Sequence, residues 1–179
     1  MDNMLLTQAI ILAMIVLILG ILIYILVKSN KYTISQTKFI KQTPEKIFPY
    51  INNFKSWHDW ASWEDIDPNI TRIYSDNPKG VGATYEWISK QPNMHGKMTI
   101  TETMPSNKIL IKIDFIKPAR GSNTIEFDLK NFGEGTLVTQ SMCGKLTFAA
   151  RLMNVFSTID KSIEKQYDKG LSKLKKLVE

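Results

Sequence analysis

Residues 96–115 read GKMTITETMPSNKILIKIDF, and this stretch decides the fold of the chain. Apolar and polar side chains alternate before and after the turn signal Pro105-Ser106-Asn107, which separates two segments of strand length. A connection this short joins antiparallel neighbours, because parallel strands need a much longer crossover. The stretch therefore predicts a β-hairpin with one face buried and the other exposed to water.

The alternation continues on both sides of the hairpin, with short turns rich in Gly, Pro and Asn between the segments. In total, strands are predicted at residues 32–41, 70–75, 83–90, 96–104, 108–117, 123–130 and 136–144. The side chains predicted to share the covered face of this sheet are Met98, Ile100, Ile109, Ile111, Ile113, Phe115, Ile125, Phe127, Leu129, Val138, Gln140 and Met142. These short connections predict an antiparallel meander of about seven strands.

Helical patterns lie after the first strand and at the end of the chain. Thr43 is predicted to cap a short helix that begins at Pro44 and contains Pro49, and tryptophans at spacings of three predict a further helical turn over residues 54–63. A long amphipathic helix is predicted from an apolar stripe, which consists of Leu152, Met153, Phe156, Ile159, Ile163, Tyr167, Leu171, Leu174 and Val178. The prediction is an α+β fold in which this helix covers the curved sheet, and Gly170 allows a close approach.

The N-terminal residues predict a membrane anchor. No charged side chain occurs from Asn3 to Val27, and a helix over residues 9–27 would cover roughly 28 Å of a bilayer. We therefore expect a single-pass anchor and juxtamembrane linker over residues 1–31, membrane contact through residues 4–27, and one domain over residues 32–179. The lysines behind Val27 favour a cytoplasmic domain, and export of the domain is the alternative. We expect the protein in a bacterial inner membrane.

Composition and side-chain chemistry exclude several classes of function. The chain has 179 residues and a net charge of +6, but its lysines lie beside the span or alternate with acidic residues in the last helix, so nucleic acid is not a predicted partner. The only histidines, His58 and His95, are isolated in predicted turns and are expected to face solvent. With a single cysteine, Cys143, the sequence predicts no metal, no cofactor and no catalytic residue.

Several local motifs resemble the SRPBCC superfamily, also called the START-like or helix-grip fold, and within it the polyketide cyclase and dehydrase subfamily. The resemblance covers residues 32–179, and its carriers are Thr-Pro-Glu-Lys-Ile-Phe-Pro-Tyr-Ile at 43–51, the Trp57, Trp60 and Trp63 cluster, Gly80-Val81-Gly82-Ala83 with Tyr85-Glu86-Trp87, Gly96-Lys97-Met98-Thr99-Ile100, the strand ending Ser141-Met142-Cys143-Gly144, and Gly170-Leu171-Ser172-Lys173-Leu174-Lys175. One departure is Gln140, which places a polar group where this subfamily often has Trp.

The resemblance implies a hydrophobic small molecule or lipid as the ligand, held between the sheet and the C-terminal helix. The candidate cavity residues are Trp60, Trp63, Tyr85, Trp87, Met98, Ile111, Ile113, Phe115, Phe127, Gln140, Met142, Met153 and Phe156. Two alternatives remain open at this stage. One is a cyclase or hydratase in which Gln140, Glu86 or Tyr85 orients a polar substrate, and the other is a membrane-tethered interaction module with a filled core and an unspecified protein partner.

Overall fold

The protein is described by a computed structural model that covers residues 2–27, 29–90, 93–145 and 159–179. Its helices are α1 (Asp2–Val27), α2 (Pro44–Ile51), α3 (Trp57–Trp60) and α4 (Ile159–Val178), with short 3-10 turns at Phe54–Ser56 and Ser62–Asp65. Its strands are β1 (Lys31–Ile40), β2 (Thr71–Tyr74), β3 (Thr84–Lys90), β4 (Asn93–Met104), β5 (Lys108–Lys117), β6 (Gly121–Phe132) and β7 (Gly135–Lys145).

The seven strands form one sheet in the order β1-β7-β6-β5-β4-β3-β2. Neighbours from β2 to β7 pair antiparallel as a meander, and β1 lies beside β7 at the other edge. The predicted α+β fold with an antiparallel seven-stranded sheet is confirmed. The largest difference at a strand end is at β4, which begins at Asn93 rather than at Gly96 because residues 93–95 extend the pairing with β3.

The alternation assigns the two faces of the sheet correctly. Every residue predicted on the covered face is buried except Phe115, which is half-buried near the end of β5. Two register shifts between β4 and β5, at His95/Gly96 and Ile100/Glu102, interrupt the regular ladder. Irregularities of this kind bend and twist a sheet, which gives a concave face that a helix can cover.

The helical segment between β1 and β2 packs its aromatic residues into the core. Trp57 and Trp60 are fully buried, and their indole N–H groups donate to the carbonyls of Ile51 and Tyr50 at 2.8 and 3.2 Å. Thr43 precedes α2 as predicted, but its side chain makes no capping hydrogen bond; its backbone carbonyl instead accepts from Ile47 N at 3.3 Å. The expected capping by the Thr43 side chain is therefore wrong, while the position of the helix start is confirmed.

The C-terminal helix α4 presents its apolar stripe to the core. Tyr167, Leu171 and Leu174 are buried, as the stripe predicts, and Leu152, Met153 and Phe156 lie outside the described residues. Gly170 is buried where α4 meets the Ser62–Asp65 turn, since a Cβ at Gly170 would lie 3.4 Å from Ser62 N. α4 therefore does approach another segment at this glycine, although a Cβ there would be in ordinary contact.

Helix α1 belongs to a separate compact unit from residues 33–145 and α4. Among the described residues, one helix is long and apolar enough to cross a membrane, and it spans Met4–Tyr24 with a mean hydropathy of 2.8. Its described side chains from Met4 onward are exposed. This composition is shared by membrane anchors and signal sequences.

We expect residues 32–179 to fold without α1, because the sheet and α4 bury their apolar faces within this segment. A fragment of residues 32–179 should show a single cooperative thermal transition by circular dichroism. Absence of a cooperative transition in the fragment, with one present in the full chain, would mean that the domain boundary is drawn in the wrong place.

Candidate functional site

A cavity of about 270 Å³ lies between the concave face of the sheet and α4. It is lined by Trp63, Trp87, Met98, Ile113, Phe115, Ile125, Met142, Ser162, Ile163, Gln166 and Tyr167. Most of these side chains are apolar, and none carries a formal charge at neutral pH. The cavity is larger than the roughly 150 Å³ apolar cavity that accepts benzene and lies near the lower end of typical ligand pockets, at about 300 Å³.

The sheet wall of the cavity follows from strand register. Met98 and Ile113 are direct partners across β4 and β5, and Ile125 and Met142 are direct partners across β6 and β7. Side chains opposite each other in an antiparallel pair point to the same face, so these four residues form two adjacent rows beneath α4. The flexible methionine side chains allow such a wall to adapt to occupants of different shape.

Two aromatic rings from the sheet close one side of the cavity. Trp87 on β3 and Phe115 on β5 meet edge to face, with ring centroids 6.3 Å apart. Gly96 lies between them on β4, paired with both residues, and a Cβ at this position would overlap the Trp87 indole. The glycine therefore makes room for the Trp87 ring at the cavity wall.

The Ser62–Asp65 turn supplies Trp63 and is bonded to α4 by a hydrogen bond and two ion pairs. Ser62 Oγ donates to the backbone carbonyl of Gln166 at 2.6 Å. Asp65 pairs with Lys169 and Lys173, each at 2.9 Å, and hydrogen bonds from these two ammonium groups lower the pKa of the Asp65 carboxyl. The turn and the cavity-lining part of α4 are thereby held together.

The buried carboxylate of Glu64 bonds the same turn to two residues of the sheet. Glu64 has a side chain only 2% exposed and accepts from Tyr85 Oη at 2.5 Å and from Arg72 Nε at 2.6 Å. Burial, followed by the hydrogen bond to Glu64, raises the pKa of Tyr85, so the phenol stays protonated and donates. With Ser62, Glu64 and Asp65 each held by a polar partner, Trp63 is positioned at the cavity wall.

The structure divides the predicted cavity residues into three groups. Trp63, Trp87, Met98, Ile113, Phe115 and Met142 line the cavity; Trp60, Tyr85, Ile111, Phe127 and Gln140 are buried outside the lining; Met153 and Phe156 lie outside the described residues. Five further residues line the cavity beyond the predicted candidates, namely Ile125, Ser162, Ile163, Gln166 and Tyr167. The sheet alternation places Ile125 on the covered face, and the helical stripe contains Ile163 and Tyr167, so all three could have been predicted as lining residues. Ser162 and Gln166 are polar and lie beside the stripe, so no apolar pattern indicates them.

The expectation that His95 faces solvent in a turn is wrong. His95 lies within β4 and is half-buried, with Nε2 2.7 Å from Glu86 Oε1. His58 is exposed, as predicted, and its Nδ1 lies 3.9 Å from Glu64 Oε2. Neither histidine lines the cavity, and the described residues include no group of three or more His, Cys, Asp or Glu side chains that could hold a metal ion.

Residues 31–179 match the family model for polyketide cyclase / dehydrase and lipid transport proteins. The chain belongs to this family. Its helix-grip architecture, in which a curved antiparallel sheet holds a long C-terminal helix, agrees with the SRPBCC resemblance of the sequence. No curated protein matches the chain in a sequence search.

Solved structures share the fold of this family member at low sequence identity. Protein CV1439 from Chromobacterium violaceum is 13% identical with a TM-score of 0.61, and the match covers 82% of this chain and 96% of that one. Aha1 from Colwellia psychrerythraea is 17% identical with a TM-score of 0.57, covering 83% and 96%. Ara h 8.0201 is 12% identical with a TM-score of 0.58, covering 83% and 97%. These likenesses show the fold alone.

Replacing Glu64 by Ala should destabilise the protein by about 2–4 kcal/mol, because it leaves the partly buried Arg72 guanidinium and the Tyr85 hydroxyl without their shared partner. Asp65→Asn is the matched control: its ion pairs are more exposed, so the change should cost less than about 1 kcal/mol. Urea unfolding of the two variants measures the difference. Equal effects would show that the buried carboxylate contributes no more than a surface ion pair.

Proposed function

We propose that residues 32–179 form a binding domain that holds a hydrophobic small molecule or part of a lipid between the sheet and α4. The observation that carries this proposal is the cavity of about 270 Å³ with its predominantly apolar lining. Apolar surface that faces water is unfavourable, at roughly 25 cal/mol per Å². An apolar occupant would cover this surface, and membership of a family that includes lipid transport supports the same assignment.

The volume and lining define the kind of ligand. The cavity suits a compact apolar molecule or a single hydrocarbon chain rather than a whole two-chain lipid. The sheet contributes thioether, branched aliphatic and aromatic groups, which favour varied apolar shapes over one rigid polar substrate. We therefore place the ligand among single-chain or isoprenoid-like molecules.

The enzymatic alternative is less well supported by the positions of its candidate residues. Tyr85 donates to Glu64, Glu86 pairs with His95, and Gln140 is buried, and none of the three lines the cavity. The alternative of an interaction module with a filled core is disfavoured by the cavity itself. Binding is the function that the geometry supports best.

We also propose that α1 anchors this domain to a membrane, with the domain in the cytoplasm. The apolar side chains of Met4–Tyr24 are exposed in the structure, and leaving that much apolar surface in water is unfavourable. A bilayer would cover this surface. The lysines that follow Val27 support the cytoplasmic side for the domain.

Replacing Ile113 by Trp should fill the cavity and abolish ligand retention, at a stability cost of about 1–3 kcal/mol. The measurement is native mass spectrometry of the full chain in lipid nanodiscs, after incubation with an isoprenoid alcohol. Ile73→Trp is the matched control, because Ile73 is exposed on β2 outside the cavity lining. Failure of the unmodified chain to retain any apolar ligand at micromolar concentration would contradict the binding proposal.

The proposed topology predicts how a cysteine in the β2–β3 connection reacts. Lys79 is exposed, so a Lys79→Cys chain that also carries Cys143→Ser should react with an impermeant maleimide only after cells are permeabilised. Anti-tag blotting provides the loading control, and the Cys143→Ser chain provides the background. Labelling of Lys79→Cys in intact cells would instead place the domain outside the cytoplasm.

A further inference from the structure

Gln166 is a polar side chain in an otherwise largely apolar cavity lining. It lies on α4 one turn after Ser162, and its backbone carbonyl is already occupied by the Ser62 hydroxyl at 2.6 Å. Its side-chain Oε1 is buried, and no donor among the described residues reaches it. A buried acceptor without a donor costs about 1–3 kcal/mol, so a ligand donor at this point would be favoured.

Gln166 Oε1 is itself buried, so a ligand would meet it only after the amide turns toward the cavity. The terminal torsion of a glutamine has a broad distribution, so such a rotation would not require the helix backbone to move. Meanwhile the position of the backbone is maintained by the bond to Ser62 and by the ion pairs of Asp65 with Lys169 and Lys173. The acceptor therefore has a defined location and an adjustable direction.

The remaining lining restricts the charge of the ligand. Among the described residues, no Lys or Arg lines the cavity to neutralise a carboxylate or phosphate, and no Asp or Glu lines it to neutralise an amine. A charged head group inside the cavity would lose its hydration without gaining a counter-ion. An uncharged donor, such as a hydroxyl, avoids this penalty and can bond to the Gln166 carbonyl oxygen.

We propose that the cavity selects uncharged amphiphilic alcohols, with the ligand hydroxyl donating to Gln166 Oε1 and the hydrocarbon lying against Met98, Ile113 and Met142. This inference rests on the proposed binding function and deepens it by naming the ligand class. We expect straight-chain and isoprenoid alcohols to bind more tightly than fatty-acid anions or hydrocarbons that lack a donor.

Gln140 is a useful comparison because it is a second buried amide with an unpartnered atom. It is 1% exposed, and its Nε2 has no acceptor among the described residues. It lies on β7 two residues before Met142 but does not line the cavity. The same substitution at Gln140 therefore controls for the general effect of replacing a buried amide by Leu.

The test compares 1-decanol with its isomer methyl nonyl ether, which has the same atoms but no hydroxyl donor. Binding to the full chain in lipid nanodiscs is followed by tryptophan emission, and decanoate serves as the charged probe. The unmodified chain should prefer the alcohol by about three- to tenfold over the ether, the range expected for one hydrogen bond. Gln166→Leu should remove this preference, whereas Gln140→Leu should retain it.

Comparing the alcohol-to-ether ratio between variants cancels the unequal partitioning of the two probes into the bilayer. An alcohol-to-ether ratio that is the same in the unmodified chain and in Gln166→Leu, tighter binding of decanoate than of the alcohol, or a loss of the preference in Gln140→Leu alone would overturn the inference while leaving the binding function intact. Failure of all three probes to bind, with the thermal transition of the chain unchanged, would overturn the binding function as well.

Discussion

The Glu64 carboxylate is the interaction on which the arrangement of the site depends. It is buried between Tyr85 and Arg72 of the sheet, while its neighbours Ser62 and Asp65 are bonded to α4. A short irregular turn thus joins the two layers of the fold by polar contacts from three of its four residues. Because a buried carboxylate needs defined partners, the turn has little freedom, and the one residue of the turn that lines the cavity, Trp63, is held in place.

The cavity and the close-packed part of the core result from different side-chain shapes on the same sheet face. Phe127 contacts both Trp57 and Trp60 edge to face, with ring centroids 5.8 and 5.9 Å away, and these three rings are fully buried. Further along the face, Met98, Ile113 and Met142 line open volume. Interlocked rings fill the space beneath the helical segment, whereas Met98, Ile113 and Met142, together with the rings of Trp87 and Phe115, leave space under α4.

The three tryptophans of the helical segment show why a regular spacing does not assign a role. Trp57, Trp60 and Trp63 follow one another at intervals of three, yet only Trp63 lines the cavity. The chain changes from α3 to a separate 3-10 turn after Trp60. The Trp63 ring still packs against Trp57, with centroids 5.4 Å apart, but it also reaches the cavity. The change after Trp60 depends on the partners of Ser62, Glu64 and Asp65, which come from distant parts of the sequence.

Local pattern by itself determined the succession of strands and helices along the chain, the buried face of the sheet and the apolar stripe of α4. Alternation with a period of two and a helical spacing depend only on neighbouring residues. Local pattern also indicated the close approach at Gly170 and the apolar helix α1. Tertiary structure alone decided which buried side chains line the cavity, that His95 pairs with Glu86, and that Gln166 Oε1 has no donor among the described residues. These features depend on register and on contacts between segments far apart in the chain, which no local pattern encodes.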